Sequence, residues 1–178
     1  PQGVHFTKWA ADRTIDFIRN HDKNTPFFCC MSVVDPHEPY GDYPSDMEQL
    51  VDISKIDVPV KPSAIKTAAV ENESRHGYLG AFDNYSSHDI MKMRVGYYAS
   101  IAFLDQQVGR VLRELKSSSI EEDTIVIFVS DHGDMLGDHG LLAKGAYFYE
   151  PSVHVPLIIR YPRSLKKGIR VRHIVQPH

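Results

Sequence analysis

Four side chains in this sequence are of types that can act together on a small anion: Asp131, His132, Lys144 and His37. Asp131 and His132 are adjacent, and they offer a hard carboxylate oxygen and an imidazole nitrogen, a donor pair suited to a divalent cation. They open the stretch Ser-Asp-His-Gly-Asp-Met-Leu-Gly-Asp-His-Gly, in which Gly133, Gly137 and Gly140 let the backbone bend close to whatever it holds. Lys144 lies 13 positions after Asp131. Its ammonium can hold the oxygens of a tetrahedral anion and neutralise charge that develops on them. His37 stands in Asp35-Pro36-His37-Glu38-Pro39-Tyr40, where two prolines stiffen the loop and imidazole can donate a proton near neutral pH. Each feature also has a plainer reading: a hydrogen-bonded turn for the Asp-His pair, a solvated lysine, an ordinary loop histidine. The residue types alone leave both readings open.

The elements that must carry these side chains can be read from periodicity. Ile125 to Val129 is a β-branched apolar run without polar alternation, which predicts a buried strand ending where Asp131 and His132 begin. Loops at the carboxyl ends of strands are where open α/β sheets place ligands. Val95, Tyr98, Ala102, Val108, Val111, Leu112 and Leu115 recur at helical spacing and predict one long helix across 92–116 that leads into this strand, with Asp105 and Gly109 in structural roles. Thr7 to Asn20 reads as an amphipathic helix with Thr7 as its N-cap. Pro26 to Val34 then reads as a central strand, with Cys29 and Cys30 as buried free thiols on opposite faces. Val155 to Tyr161 predicts another buried strand, and Ile169 to Val175, apolar alternating with basic, a half-exposed edge strand. Two helix-to-strand units in succession imply an α/β fold with a mainly parallel sheet flanked by helices. Residues 41–92 differ: they are polar, carry Pro44, Pro59 and Pro62, and show little sustained period. They read as a long, substrate-facing excursion with short helical pieces, and with a short extended stretch within 51–60.

The 178 residues and 42% hydrophobic content suit one globular domain, or part of one, spanning 1–178. A net charge of −3 provides no general field for nucleic acid and no polybasic segment for a membrane surface. No apolar run approaches the roughly 20 residues of a membrane span. Neither nucleic acid nor membrane is an expected partner. The chain starts at Pro1 and ends in what reads as the opening of another element, His173 to His178, so a fragment is expected. A sheet cut from its partner strands could pair edge to edge, and any dimer of such a fragment is expected to be an artefact.

Longer motifs narrow the reading. Ser-Asp-His-Gly-Asp-Met-Leu-Gly-Asp-His-Gly-Leu-Leu-Ala-Lys-Gly, followed by Phe148-Tyr149-Glu150 and Val155-Pro156-Leu157-Ile158-Ile159, closely resembles the sulfatase family of the alkaline phosphatase superfamily. The resemblance extends to Pro26 through Pro39 and to Tyr97 through Arg110, leaving out chiefly the 41–92 excursion. It implies an incomplete alkaline-phosphatase-like fold and hydrolysis of sulfate esters by the parent protein, acting on small-molecule or carbohydrate sulfates. It further implies one divalent metal ion, calcium, magnesium or manganese, held in part by Asp131 and His132, with Lys144 on the sulfate oxygens and His37 near the leaving group. His139 and Glu150 belong to the resembling stretch without an assigned role.

One departure stands out. Members of the family carry a Cys-x-Pro-x-Arg or Ser-x-Pro-x-Arg sequence whose first residue becomes the formylglycine nucleophile, together with two further metal-binding aspartates. Neither cysteine here fits, since Cys29 is followed by Cys-Met-Ser and Cys30 by Met-Ser-Val. The fragment by itself is therefore expected to be inactive. Two other readings stand beside the sulfatase one: a phosphonate or phosphate monoester hydrolase of the same superfamily, and a catalytically dead relative that binds sulfated ligands.

Overall fold

A computed structural model describes residues 5–60, 68–77, 79–145, 147–172 and 175. The chain divides into two compact units, one made of residues 1–35, 104–129 and 156–178, the other of residues 36–103 and 130–155.

In the first unit, helix α1 spans Phe6–Asn20 and buries Thr7, Ala10, Ala11, Ile15 and Ile18, a stripe at three- and four-residue spacing. Trp9 and Phe17, from the same apolar set, stay half exposed. The N-cap is His5, not Thr7: the His5 ring accepts from the Thr7 N–H, while the Thr7 hydroxyl donates to Asp35. The long helix α3 runs Ser87–Ser117, five residues earlier at its start than periodicity suggested. Its second half is joined to α1 by Arg110 on Asp12 at 2.5 Å and by Glu114 on Arg19 at 2.8 Å. Asp105 is exposed.

Strand β1 (Val126–Val129) pairs with β2 (Leu157–Arg160) in antiparallel register, Val126 opposite Arg160 and Val129 opposite Leu157. Both were expected to be buried in a mainly parallel sheet. Instead Ile127, Val129, Ile158 and Ile159 are exposed, because among the described residues this ribbon has no third strand beside it, and on β1 only Val126 and Phe128 are half-buried. The same reason corrects the reading of 26–34. An extended run becomes a strand only when its backbone groups meet a neighbour's, and no ladder forms there among the described residues, so Cys29 and Cys30 are free and exposed. Residues 169–172 are exposed and not in a strand; His173 and Ile174 of the expected edge strand lie outside the described residues.

The second unit contains the excursion. Its pieces are short 3-10 turns at Ser45–Leu50, Ile53–Lys55 and Phe82–Asn84, and helix α2 at Ala68–His76. Pro62 falls outside the described residues. The 51–60 stretch is a turn followed by an extended end, and Val60 is fixed on both sides: its N–H donates to Asp138 Oδ1 at 2.7 Å and its carbonyl accepts from the His139 N–H at 2.8 Å. Two small apolar clusters stabilise this unit, Val70, Met135, Leu141 and Tyr147 in one, Met47, Ala99 and Phe103 in the other.

Candidate active site

The turn after β1 is shaped by its glycines and by short helix α4, Glu150–Val153. Gly133 donates its N–H to the Ser152 carbonyl at 2.8 Å, and a Cβ there would collide with the Pro151 carbonyl oxygen, so only glycine permits this approach. Beyond it the chain forms a tight loop closed by Met135 N–H on the Ala143 carbonyl, 2.8 Å, and Gly137 N–H on the Leu141 carbonyl, 2.9 Å. Within this loop Leu136, His139 and Ala143 all take positive φ, 43°, 57° and 53°, conformations that cost side-chain-bearing residues energy.

What holds the loop is Arg94 of α3, a side chain only 9% exposed. Its Nε donates to the Leu136 carbonyl at 3.0 Å, Nη1 to the Asp57 carbonyl at 2.8 Å, and Nη2 to Asp138 Oδ1 at 2.6 Å. One guanidinium thus ties helix, excursion and loop together.

The four residues singled out by their chemistry are brought into one place. Lys144 Nζ donates to His37 Nε2 at 2.6 Å. On the other side of the ring, His37 Nδ1 faces the Glu38 carbonyl at 3.1 Å and the Glu38 carboxylate at 3.0 Å, both acceptors. In the neutral ring the proton therefore sits on Nδ1 and Nε2 carries the lone pair. The His37 and His132 rings meet edge to face with centroids 6.0 Å apart. His132 Nδ1 lies 2.8 Å from the Gly133 carbonyl, which can only accept, so in its neutral form Nε2 is the free donor atom towards a cation. Asp131 is the exposed member, its side chain 87% accessible. Partial burial pushes its carboxyl up, but the His132 N–H, the His132 ring and Lys144 outweigh this and hold it below the usual carboxylate range.

Asp131 and His132 thus fit two positions of a divalent metal site: one exposed anionic oxygen and one imidazole nitrogen oriented by a backbone carbonyl. No cluster of three or more potential ligands occurs among the described residues. His139 and Glu150 are placed otherwise: the His139 ring stacks on Tyr149 at 4.1 Å, and Glu150 pairs with His154 at 3.0 Å.

Sequence reasoning missed a second pair. Tyr40 donates its hydroxyl to Asp134 Oδ2 at 2.7 Å, linking the His37 loop to the Asp131 turn. Burial drives both acids up: the Tyr40 phenol is pushed far above its ordinary value by burial and then by the Asp134 charge, and the Asp134 carboxyl is raised by burial despite hydrogen bonds from Tyr40 and the Leu136 N–H. The carbonyl of Tyr40 rests on Gly96 of α3, where a Cβ would collide with it. Both residues stand inside the motifs quoted above, Tyr40 closing the Pro-His-Glu-Pro turn and Asp134 following the Asp-His pair. Arg94 left no such signal.

A sulfatase family model matches residues 3–177 of this chain. The chain belongs to the sulfatase family. Among relatives in this family, an arylsulfatase of Clostridium perfringens is 37% identical over 169 residues, 94% of this chain and 34% of that protein. The human iduronate 2-sulfatase is 30% identical over 175 residues, 91% of this chain and 32% of that protein. The crystal structure of the phosphonate monoester hydrolase of Agrobacterium radiobacter superposes with a TM-score of 0.71 at 30% identity, over 88% of this chain and 33% of that one. This sulfatase chain thus spans about a third of the length of the curated relatives it matches.

Proposed function

We propose that the parent of this chain hydrolyses sulfate esters, and that residues 1–178 supply part of its anion pocket and part of its metal site within a single catalytic domain. The observation that carries this reading is the convergence of His37 with Asp131, His132 and Lys144 from two stretches of chain far apart in sequence, with the Lys144 ammonium 2.6 Å from the His37 ring. Asp131 and His132 would hold one divalent ion, calcium, magnesium or manganese, which when bound would polarise the sulfate group as a Lewis acid. The chain's own residues do the rest. The Lys144 ammonium, hydrogen-bonded to the His37 imidazole, would turn to the sulfate oxygens and offset their growing charge. His37, oriented through Nδ1 by Glu38, presents Nε2 to the bridging oxygen, and in its protonated form donates to the departing alkoxide or phenoxide. The nucleophile belongs, in this reading, to a part of the parent outside these residues, and this chain alone does not turn over.

In the same reading the full domain carries the mainly parallel sheet of the α/β class, and the 41–92 excursion faces substrate. Small-molecule or carbohydrate sulfate esters are the partners.

A second reading is favoured by the likeness to the phosphonate monoester hydrolase: the same pocket would accept a phosphonate or phosphate monoester. One experiment separates the two. In the full-length protein, Asp131→Ala, His132→Ala, Lys144→Ala and His37→Ala are assayed against paired aryl sulfate, aryl phosphate and aryl phosphonate esters. We expect each variant to lose at least about a hundredfold in kcat/KM for the sulfate while keeping its circular dichroism. Near-normal rates in all four would overturn the assignment. A dominant phosphonate rate would favour the second reading, and tight binding of a sulfated sugar without hydrolysis would indicate a binding-only relative.

A further inference from the structure

Beside His37 the second unit opens a cleft of about 520 Å³ lined by His37, Glu38, Pro39, Tyr40, Leu79 and Met93. Its volume is that of a small-ligand pocket, and its walls are mostly apolar. The chemistry these walls can offer is unusually restricted. Pro39, Leu79 and Met93 present only hydrocarbon and a thioether. Tyr40 has its hydroxyl proton committed to Asp134 at 2.7 Å. The Glu38 carboxylate is turned to His37 Nδ1 at 3.0 Å. Among these six side chains no hydrogen-bond donor other than His37 is left for a ligand, and Glu38 brings a negative charge.

The walls are also fixed in place. The Tyr40 backbone is seated against Gly96 with no room for a Cβ, its ring is tethered at the hydroxyl, and Leu79 is held by the Tyr85 hydroxyl donating to its carbonyl at 2.7 Å. A pocket that is shaped before the ligand arrives selects by what it cannot satisfy: an anionic group entering here would meet the Glu38 charge, and a hydroxyl-rich one would find acceptors in Glu38 and the Tyr40 oxygen but, apart from His37, no side-chain donor for its own oxygens.

We propose that this cleft is the subsite for the alcohol half of the ester, and that it takes an uncharged aromatic or otherwise apolar leaving group, with Leu79 and Met93 as the residues that set the preference. The proposal rests on the ester-hydrolase reading, because it needs His37 at the bridging oxygen. It adds what that reading leaves open, namely which alcohols are released, and it assigns a substrate-facing wall to Leu79 of the excursion.

The test uses the full-length protein and three sulfate esters: 4-methylumbelliferyl sulfate, a hexose 6-sulfate and a hexose 6-sulfate bearing a second sulfate. Aryl sulfates react faster on intrinsic grounds, so the ratio of kcat/KM values in one protein decides nothing. The change of that ratio on substitution cancels intrinsic reactivity and does decide. Leu79→Asn and Met93→Gln should each lower the aryl-to-hexose ratio by about tenfold or more, chiefly through KM for the aryl ester. Leu79→Trp, which fills the cleft with carbon, should weaken product inhibition by 4-methylumbelliferone while the thermal midpoint stays near the parent's. Ratios that move less than twofold in both polar variants, with umbelliferone inhibition unchanged in Leu79→Trp, would overturn the subsite. So would a parent enzyme that works on the disulfated sugar and whose KM for it is untouched by these substitutions. Absence of hydrolysis of every ester would instead defeat the underlying sulfatase reading, and the subsite with it.

Discussion

Arg94 is the residue whose loss should be felt most, and the size of the effect can be worked from its contacts. Arg94→Met keeps much of the aliphatic stem but removes three hydrogen bonds, to the Leu136 carbonyl, the Asp57 carbonyl and Asp138 Oδ1. The Asp138 side chain, 15% exposed, is then left charged without its guanidinium. Removing one partner of a buried pair costs about 3–5 kcal/mol, and a buried carbonyl left unpaired about 1–3 kcal/mol more. Asp138 keeps the Val60 N–H, and water can reach the partly exposed Asp57 carbonyl, which places the net loss near the low end, about 3 kcal/mol. With a urea slope of roughly 2 kcal/mol per molar, the unfolding midpoint should fall by about 1.5 M. Because most of the cost comes from stranding a carboxylate, Arg94→Met combined with Asp138→Asn should regain a good part of it. If Arg94→Met moves the midpoint by less than about 0.3 M, or if the double variant is worse than the sum of the singles, the guanidinium does not hold the loop as described.

Two further substitutions probe other joints. Gly96→Ala should destabilise by about 1–3 kcal/mol, since its methyl group meets the Tyr40 carbonyl, whereas Gly41→Ala, with nothing within 4 Å of the new Cβ, should be close to neutral; equal thermal midpoints for the two would contradict the packing of Tyr40 on α3. Asp12 is held below the usual carboxylate range by hydrogen bonds from Lys8 and Arg110, so its contribution is present above the unfolded value of about 3.9 and disappears as pH falls through the lower folded value. The gap in thermal midpoint between the parent and Asp12→Asn should therefore be open at about pH 6 and narrow progressively as pH falls below the unfolded value of about 3.9, and a gap independent of pH would show that Asp12 acts through packing alone.

The chemistry was more legible in the sequence than the architecture. Asp131, His132, Lys144 and His37 could be named because reactive residue types stand beside glycines and prolines that only a constrained turn explains, and the structure groups them. The long helix was legible because a 3.6-residue period over that length has few other causes, and only its start was misplaced. Strands were a different matter. The apolar run at 26–34 meets the compositional condition for a central strand, but pairing is a property of the neighbour, and none stands beside it among the described residues. Likewise β1 and β2 were read as buried from hydrophobicity alone, and antiparallel pairing with exposed faces could not be read from that. Arg94 was invisible for a related reason: an arginine on a helix is ordinarily solvated, and nothing local marks one whose partners lie 37 to 44 positions away.

The left-handed residues of the site loop carry a consequence for transplantation. Leu136, His139 and Ala143 would each relax to ordinary backbone if the segment 130–144 were excised as a peptide or grafted onto another scaffold by its sequence alone. The shape is imported: it comes from Arg94 on the helix, from Val60 at the end of the excursion and from Ser152 on α4. The portable unit is therefore not the motif that reads so clearly along the chain but that motif together with three distant clamps, and a design that copies Asp131, His132 and Lys144 without them would reproduce the ligands and lose their arrangement.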